Sequence, residues 1–153
     1  MENISVCNLI TLTVDDFKER FPRGFKYYVD GEETTPETVY DTDILEAYRE
    51  AKMTFDCSLF TKDEMKNMFL LLSAFYLLQD FKMNNGLSNT SSFVATEQQV
   101  GDVSAKYSIP DKIKNSPTFS YLFENDFGKK YAIMAYQRLV NKKRYYTGKP
   151  NLA

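Results

Sequence analysis

Thr61-Lys62-Asp63-Glu64-Met65-Lys66-Asn67-Met68-Phe69-Leu70-Leu71-Leu72-Ser73-Ala74-Phe75-Tyr76-Leu77-Leu78-Gln79-Asp80-Phe81 is the stretch whose reading decides the fold. Thr61 and Glu64 have the spacing of a capping box. The Thr hydroxyl takes one orphan N–H of the first turn, and the Glu side chain reaches back to another. Met65, Met68, Phe69, Leu72, Phe75, Tyr76 and Phe81 recur at helical spacing, and Leu71, Leu77 and Leu78 add apolar residues outside that stripe. A helix that is apolar over most of its circumference is covered by neighbours on several sides. The segment is therefore expected to be the central helix of a small bundle, stopping near Asn84-Asn85-Gly86.

Working toward the N-terminus, Asp43 to Asp56 reads as a helix capped by Thr42 or Asp43. Ile44, Leu45, Ala47, Tyr48, Ala51, Met53 and Phe55 form its apolar face, and Glu46, Arg49, Glu50 and Lys52 its wet side. Residues 25–41 read as an exposed loop or small hairpin, with Asp30-Gly31 suited to a type I′ turn and Pro36 as a breaker. Thr13 to Phe21 reads as a short helix with Thr13 as N-cap, Asp15 and Asp16 at the positive end of the dipole, and Phe17 and Phe21 on one face. Pro22 and Gly24 stop it.

Toward the C-terminus, Leu87 to Thr96 is rich in Ser, Thr and Asn and reads as loop. In Glu97 to Tyr107 the period changes: Val103, Ala105 and Tyr107 alternate with Asp102, Ser104 and Lys106, as in a strand. That strand pairs either with residues 93–95 of its own chain or with a neighbouring subunit, so residues 87–110 form a loop-and-strand excursion. Ser116-Pro117 is a helix start for a short helix through Phe123, with a break at Asn125 to Gly128. Lys129 to Arg144 forms the last helix, and residues 145–153 a polar, aromatic tail. The expected fold is mainly α: one domain over residues 1–153, a small bundle of about four to five helices with one long loop, strand or hairpin excursion.

A chain of 153 residues suits one domain with its own core. Its 43% hydrophobic and 26% charged residues argue against wholesale disorder. Eleven Tyr and twelve Phe supply either an aromatic-rich core or interface area. The net charge of −2 argues against a dedicated nucleic-acid binder.

The sequence contains no histidine, so Ser-His-Asp and Cys-His arrangements are impossible. Cys7 and Cys57 form no C-x-x-C pair, which leaves a zinc or redox site without support. They either form one disulfide or remain two reduced, partly buried thiols, the state expected of a protein made in cytoplasm. Met1 to Ser5 lacks the basic start and apolar run of a signal peptide. The longest apolar stretch, Met68 to Leu78, is too short to span a bilayer, so no membrane partner is expected.

Asp15 with Asp16, Asp41 with Asp43, and Asp63 with Glu64 could be read as carboxylate pairs for metal or acid–base work. Each sits at a predicted helix start, where dipole compensation accounts for it. No calcium-loop spacing is present, and Val100-Gly101-Asp102 lacks the Gly-Lys of a phosphate cradle. No catalytic residue, metal or cofactor is therefore assigned. Lys129-Lys130 and Lys142-Lys143-Arg144 are basic clusters. With Tyr145 and Tyr146 the second suits either phosphate or base contact or a solvated helix end.

The segment Glu97 to Tyr107, with its Val100-Gly101-Asp102-Val103-Ser104-Ala105-Lys106-Tyr107, resembles the "VGDVSVSY" strand of a family of tailed-bacteriophage head-completion and neck proteins. Asp16 to Pro22 resembles that family's "FRxxFPEF" opening, and Leu71 to Leu78 its "LLTAHLLAL" helix. Ser116-Pro117 followed by Asp126 to Tyr131 is similar to its "TPYG" and final helix. The likeness runs from Val14 to Arg144. Residues 25–41 are longer than in that family, and Tyr145 to Pro150 replaces the usual aromatic or Gly-Gly ending.

The resemblance implies a head–tail connector (adaptor) subunit of the virion neck, made in the host cytoplasm. Such subunits form a homo-oligomeric ring, usually a dodecamer, under the portal protein, and prepare the docking site for tail or stopper proteins. Packaged DNA passes through the channel without sequence-specific binding. On this reading Val100, Gly101, Asp102, Val103, Ala105 and Tyr107 make inter-subunit contacts, and Lys142, Lys143, Arg144, Tyr145 and Tyr146 contact the portal or a neighbour. The alternatives are another neck or tail-completion protein and a small soluble helical binding module.

Overall fold

The structure, a computed structural model, describes residues 2–84 and 111–147. In chain order it contains β1 (Asn3–Val6), β2 (Ile10–Thr13), α1 (Val14–Arg20), β3 (Lys26–Tyr27), β4 (Thr38–Val39), α2 (Asp41–Thr54), α3 (Lys62–Asn84), α4 (Asp111–Lys114), a 3₁₀ turn (Ser120–Glu124) and α5 (Asp126–Thr147). The fold is a mainly α, small helical bundle, as the sequence leads one to expect.

α3 is its axis. Met65, Met68, Phe69, Leu70, Leu71, Leu72, Ala74, Phe75, Leu77 and Leu78 are all buried, which takes in every side of the helix. The capping box is present: the Thr61 N–H donates to Glu64 Oε1 at 3.1 Å, and the Glu64 N–H to Thr61 Oγ1 at 3.3 Å. Buried Ser73 is satisfied by donating to the Phe69 carbonyl at 2.9 Å.

α2 covers one side of α3 and α5 another. α2 contributes Ile44, Leu45, Ala47, Tyr48 and Ala51, while Met53, expected on the apolar face, is 85% exposed. Its start lies at Asp41 with Tyr40 as N-cap, two to three residues before the expected cap, because Asp43 accepts the Tyr40 N–H at 2.8 Å. α1 begins after Thr13 as expected, with Asp16 Oδ2 accepting the Thr13 N–H at 2.7 Å. Phe17 is the aromatic hub beneath it. Its ring centroid lies 5.0 Å from Phe21, 5.6 Å from Phe25 and 6.3 Å from Tyr48.

The last helix starts earlier and ends later than its sequence suggests. Asn125 to Gly128 is a helix start and not a break. The Asn125 side chain is the N-cap, with Oδ1 accepting the Gly128 N–H at 3.1 Å. Its Nδ2 donates to the Phe75 carbonyl at 3.2 Å and to Gln79 Oε1 at 3.1 Å. One buried amide thus caps α5 and ties it to α3. Gly128 is required by close approach: a Cβ there would collide with the Leu122 carbonyl and lie 2.6 Å from the Phe75 ring. At the other end of the contact, Arg138 grips Glu64 with two nitrogens, Nε at 3.2 Å from Oε1 and Nη2 on Oε2. α5 therefore runs antiparallel to α3. It continues through Tyr145 and Tyr146, which belong to the helix and not to a tail.

Other expectations are corrected. Ser116-Pro117 opens a turn and then the 3₁₀ segment, since the Ser116 hydroxyl accepts the Thr118 N–H at 3.2 Å and the chain tightens to three-residue spacing. Residues 25–41 form no hairpin: β3 and β4 pair in parallel, Lys26 with Thr38 and Tyr27 with Val39. Only Gly31 in that turn has positive φ, at 86°, whereas a type I′ turn needs two such residues.

A hairpin does form where none is read from the sequence, between antiparallel β1 and β2, with Ile4 opposite Leu12 and Val6 opposite Ile10. Cys7 and Asn8 take positive φ in its turn, at 58° and 57°. The expected reduced thiols are also overturned. Cys7 and Cys57 are joined in a disulfide across a Cα–Cα distance of 5.8 Å, because the hairpin turn lies beside the α2–α3 loop. The strand expected at 97–107, with the rest of 87–110, falls outside the described residues.

Two outcomes test this packing. Gly128→Ala should destabilise the fold by on the order of 2–3 kcal/mol, read by urea unfolding, because the backbone carbonyl it meets cannot move aside. The disulfide closes a loop of 50 residues. Reduction by dithiothreitol should accordingly lower stability by up to about 4 kcal/mol on the chain-entropy model.

Candidate functional site

The acidic pairs noted in the sequence are absorbed by local structure. Burial acts to raise the Asp16 carboxyl, but hydrogen bonds from the Thr13 N–H and from Lys66, 3.0 Å away, hold it below its ordinary value. Asp41 pairs with Lys18 at 2.9 Å. Glu64 is held low by Arg138, and Asp56 by Ser58. Among the described residues no group of three or more acidic or cysteine side chains is arranged to hold a metal ion. No described helix is long and apolar enough to cross a membrane.

One carboxyl behaves differently. Glu50, on the side of α2 read as wet, is half-buried against Asp80 of α3. It is pushed up to about 8, first by burial, then by its hydrogen bond with Asp80 and by repulsion from Asp80 and Glu46. The two residues are thirty positions apart on different helices, so no local pattern announces the pair. The adjoining cavity, lined by Asp43, Glu46, Leu77, Asp80 and Phe81, is ≈ 70 Å³, far below the few hundred Å³ of a small-molecule site. The pair is a proton-holding seam between two helices.

Two outer surfaces are better suited to recognition. The first lies at the N-terminal end of α2. Tyr28 and Tyr40 stack with centroids 5.1 Å apart while remaining 42% and 40% exposed. The Tyr28 hydroxyl donates to Asp30, which raises its pKa. With Lys18, Asp41 and Thr42 these residues line an open cleft of ≈ 480 Å³. Neither Tyr28 nor Tyr40 is singled out by sequence, since the segment has no regular period.

The second surface is the far end of α5, which carries the basic cluster read from the sequence. Lys142 donates to Ser58 Oγ at 2.7 Å, beside Asp56. Lys143, Arg144, Tyr145 and Tyr146 follow on the same helix. The other predicted contact residues, Val100, Gly101, Asp102, Val103, Ala105 and Tyr107, lie outside the described residues.

Comparison with protein-family models, with curated proteins and with solved structures finds no match to this chain.

The Glu50–Asp80 seam gives a pH dependence with a definite sign. Folding raises the Glu50 pKa, so the folded state binds the extra proton. The stabilisation is complete below the ordinary value of 4.5 and is lost as pH rises toward about 8. Thermal melts should show a falling Tm across that window. In Glu50→Gln the fall should flatten and Tm at the alkaline end should rise; a slope identical to the parent chain would show that the seam does not hold the proton.

Proposed function

We propose that the chain is a structural subunit of a tailed-phage head–tail connector ring, docking under the portal and bridging it to tail or stopper proteins around the DNA channel. The observation that carries this reading is an ordered run of motifs on a helical framework. The Asp16–Pro22 motif spans most of α1 and the turn after it. The Leu71–Leu78 motif is the buried middle of α3. The Asp126–Tyr131 motif opens the last helix, where Asn125 and Gly128 lock it to α3. All three lie in parts of the chain that build the shared core.

Two further features support an assembly role. Asp16, Asp43 and Glu64 serve as caps, Asp41 and Asp126 pair with lysines, and Glu50 with Asp80 forms one interhelical seam. An exposed aromatic, acidic surface lies at one end of α2, and the last turns of α5, with Lys142, Lys143 and Arg144 in their sequence, lie near the other. A subunit of a closed ring needs surfaces of this kind for unlike neighbours.

The test is the copy number of the chain in purified particles of its source virus, by quantitative mass spectrometry. A value near one dodecamer per particle is expected, because closed rings fix stoichiometry. Absence from the particle would remove the connector reading and favour a small helical binding module.

A further inference from the structure

Charge is segregated along this chain to a degree that the net value of −2 conceals. From Tyr28 to Asp43 there are six acidic residues and no Lys or Arg. From Phe127 to Ala153 there are seven Lys or Arg and no Asp or Glu. The tip of the acidic segment, Asp30 to Glu33, is exposed beside the Tyr28–Tyr40 stack. In the basic segment, Arg138 is held by Glu64 and Lys129 by Asp126, and Lys142, Lys143 and Arg144 follow one another in sequence on the last turns of α5.

The two surfaces do not face each other within one molecule. The acidic one adjoins Asp41, at the first turn of α2. The basic one reaches Ser58, in the loop that follows the last turn of the same helix. α2 has 14 residues, so the two lie about 21 Å apart along its axis at 1.5 Å per residue. Complementary patches at opposite ends of one body cannot neutralise each other in the monomer. They can do so between copies, head to tail, and a heterologous contact of this kind closes into a ring or runs on as a filament.

We infer that the acidic Tyr28–Tyr40 surface of one copy receives the basic end of α5 from the next. This rests on the ring reading above and adds which surfaces meet. The partner is a second copy because the chain itself supplies both charges, six acidic residues in one segment and seven basic ones in the other. The stacked tyrosines offer a flat, rigid face with hydroxyls at its edge, against which Lys and Arg stems and guanidinium planes pack well. Neighbouring acids supply the attraction that orients the encounter.

The experiment is sedimentation velocity on the full chain and on two charge-reversed variants. In one, Asp30, Glu32 and Glu33 are replaced by Lys; in the other, Lys142, Lys143 and Arg144 are replaced by Glu. The parent chain should self-associate at about 0.1 M salt and dissociate at about 1 M, where the screening length falls to about 3 Å. Each variant alone carries two surfaces of like sign and should associate about tenfold or more weakly.

Mixing the two variants, or combining all six substitutions in one chain, should restore association. A merely misfolded variant would not recover in this way. Association of both single variants at parental strength would overturn the pairing while leaving the ring reading intact through other surfaces. A parent chain that stays monomeric would also overturn it, with the particle copy number still deciding the ring reading.

Discussion

The structure depends on keeping α3 dry. A 23-residue helix with apolar side chains on all sides has no stable arrangement in which one face meets water, because each exposed Leu or Phe side chain forfeits roughly 2 kcal/mol of burial. Every other element answers that demand. α2 and α5 cover two sides of α3. α1 and the β1–β2 hairpin are added through the Phe17 aromatic cluster, and the 3₁₀ segment seals the corner near Phe75.

Covering an apolar helix fixes how much is buried, not which partner lies where. Register comes from a few polar groups. The Asn125 amide accepts from the first turn of α5 and donates both its N–H groups to α3, one to the Phe75 carbonyl and one to the Gln79 side chain. Arg138 and Glu64 repeat the bond at the opposite end of the same contact. Tyr48 donates to the Thr13 carbonyl at 2.8 Å and Tyr27 to the Phe21 carbonyl at 2.6 Å, fixing α2 and β3 against the ends of α1. A displaced helix would leave these buried groups unpaired, at a cost of about 1–3 kcal/mol each. The Cys7–Cys57 bond adds a covalent tie between the hairpin turn and the α2–α3 loop.

With Asp16, Asp41, Asp43 and Glu64 engaged in caps and ion pairs, the outward character of the molecule is set by what those interactions leave over. At one end of α2 that remainder is acidic and aromatic, with exposed Tyr28 and Tyr40 beside Asp30, Glu32 and Glu33; near the other, Lys142 of α5 reaches Ser58. Glu50 and Asp80 sit between, on the α2–α3 seam, where burial and the neighbouring Asp80 carboxyl raise the Glu50 pKa.

Much of this was legible locally. The Thr61–Glu64 box, the apolar circumference of α3, the Thr13 start of α1 and the apolar face of α2 are all read from residues within a few positions of one another, because helix periodicity and capping are short-range effects. What the sequence could not reveal depends on chain segments far apart. Asn125 and Gly128 look like a helix break until Phe75 and Leu122 are beside them. Residues 25–41 read as an exposed loop or a small hairpin, and nothing local shows that the exposed loop over 28–36 brings Thr38 and Val39 back in parallel with Lys26 and Tyr27. Cys7 meets Cys57, and Glu50 meets Asp80, only because two turns and two helices are brought together. Local chemistry determined which segments are helical and where most of them begin; tertiary packing decided which groups became neighbours, since burial is non-directional and only the assembled core selects among the pairings it permits.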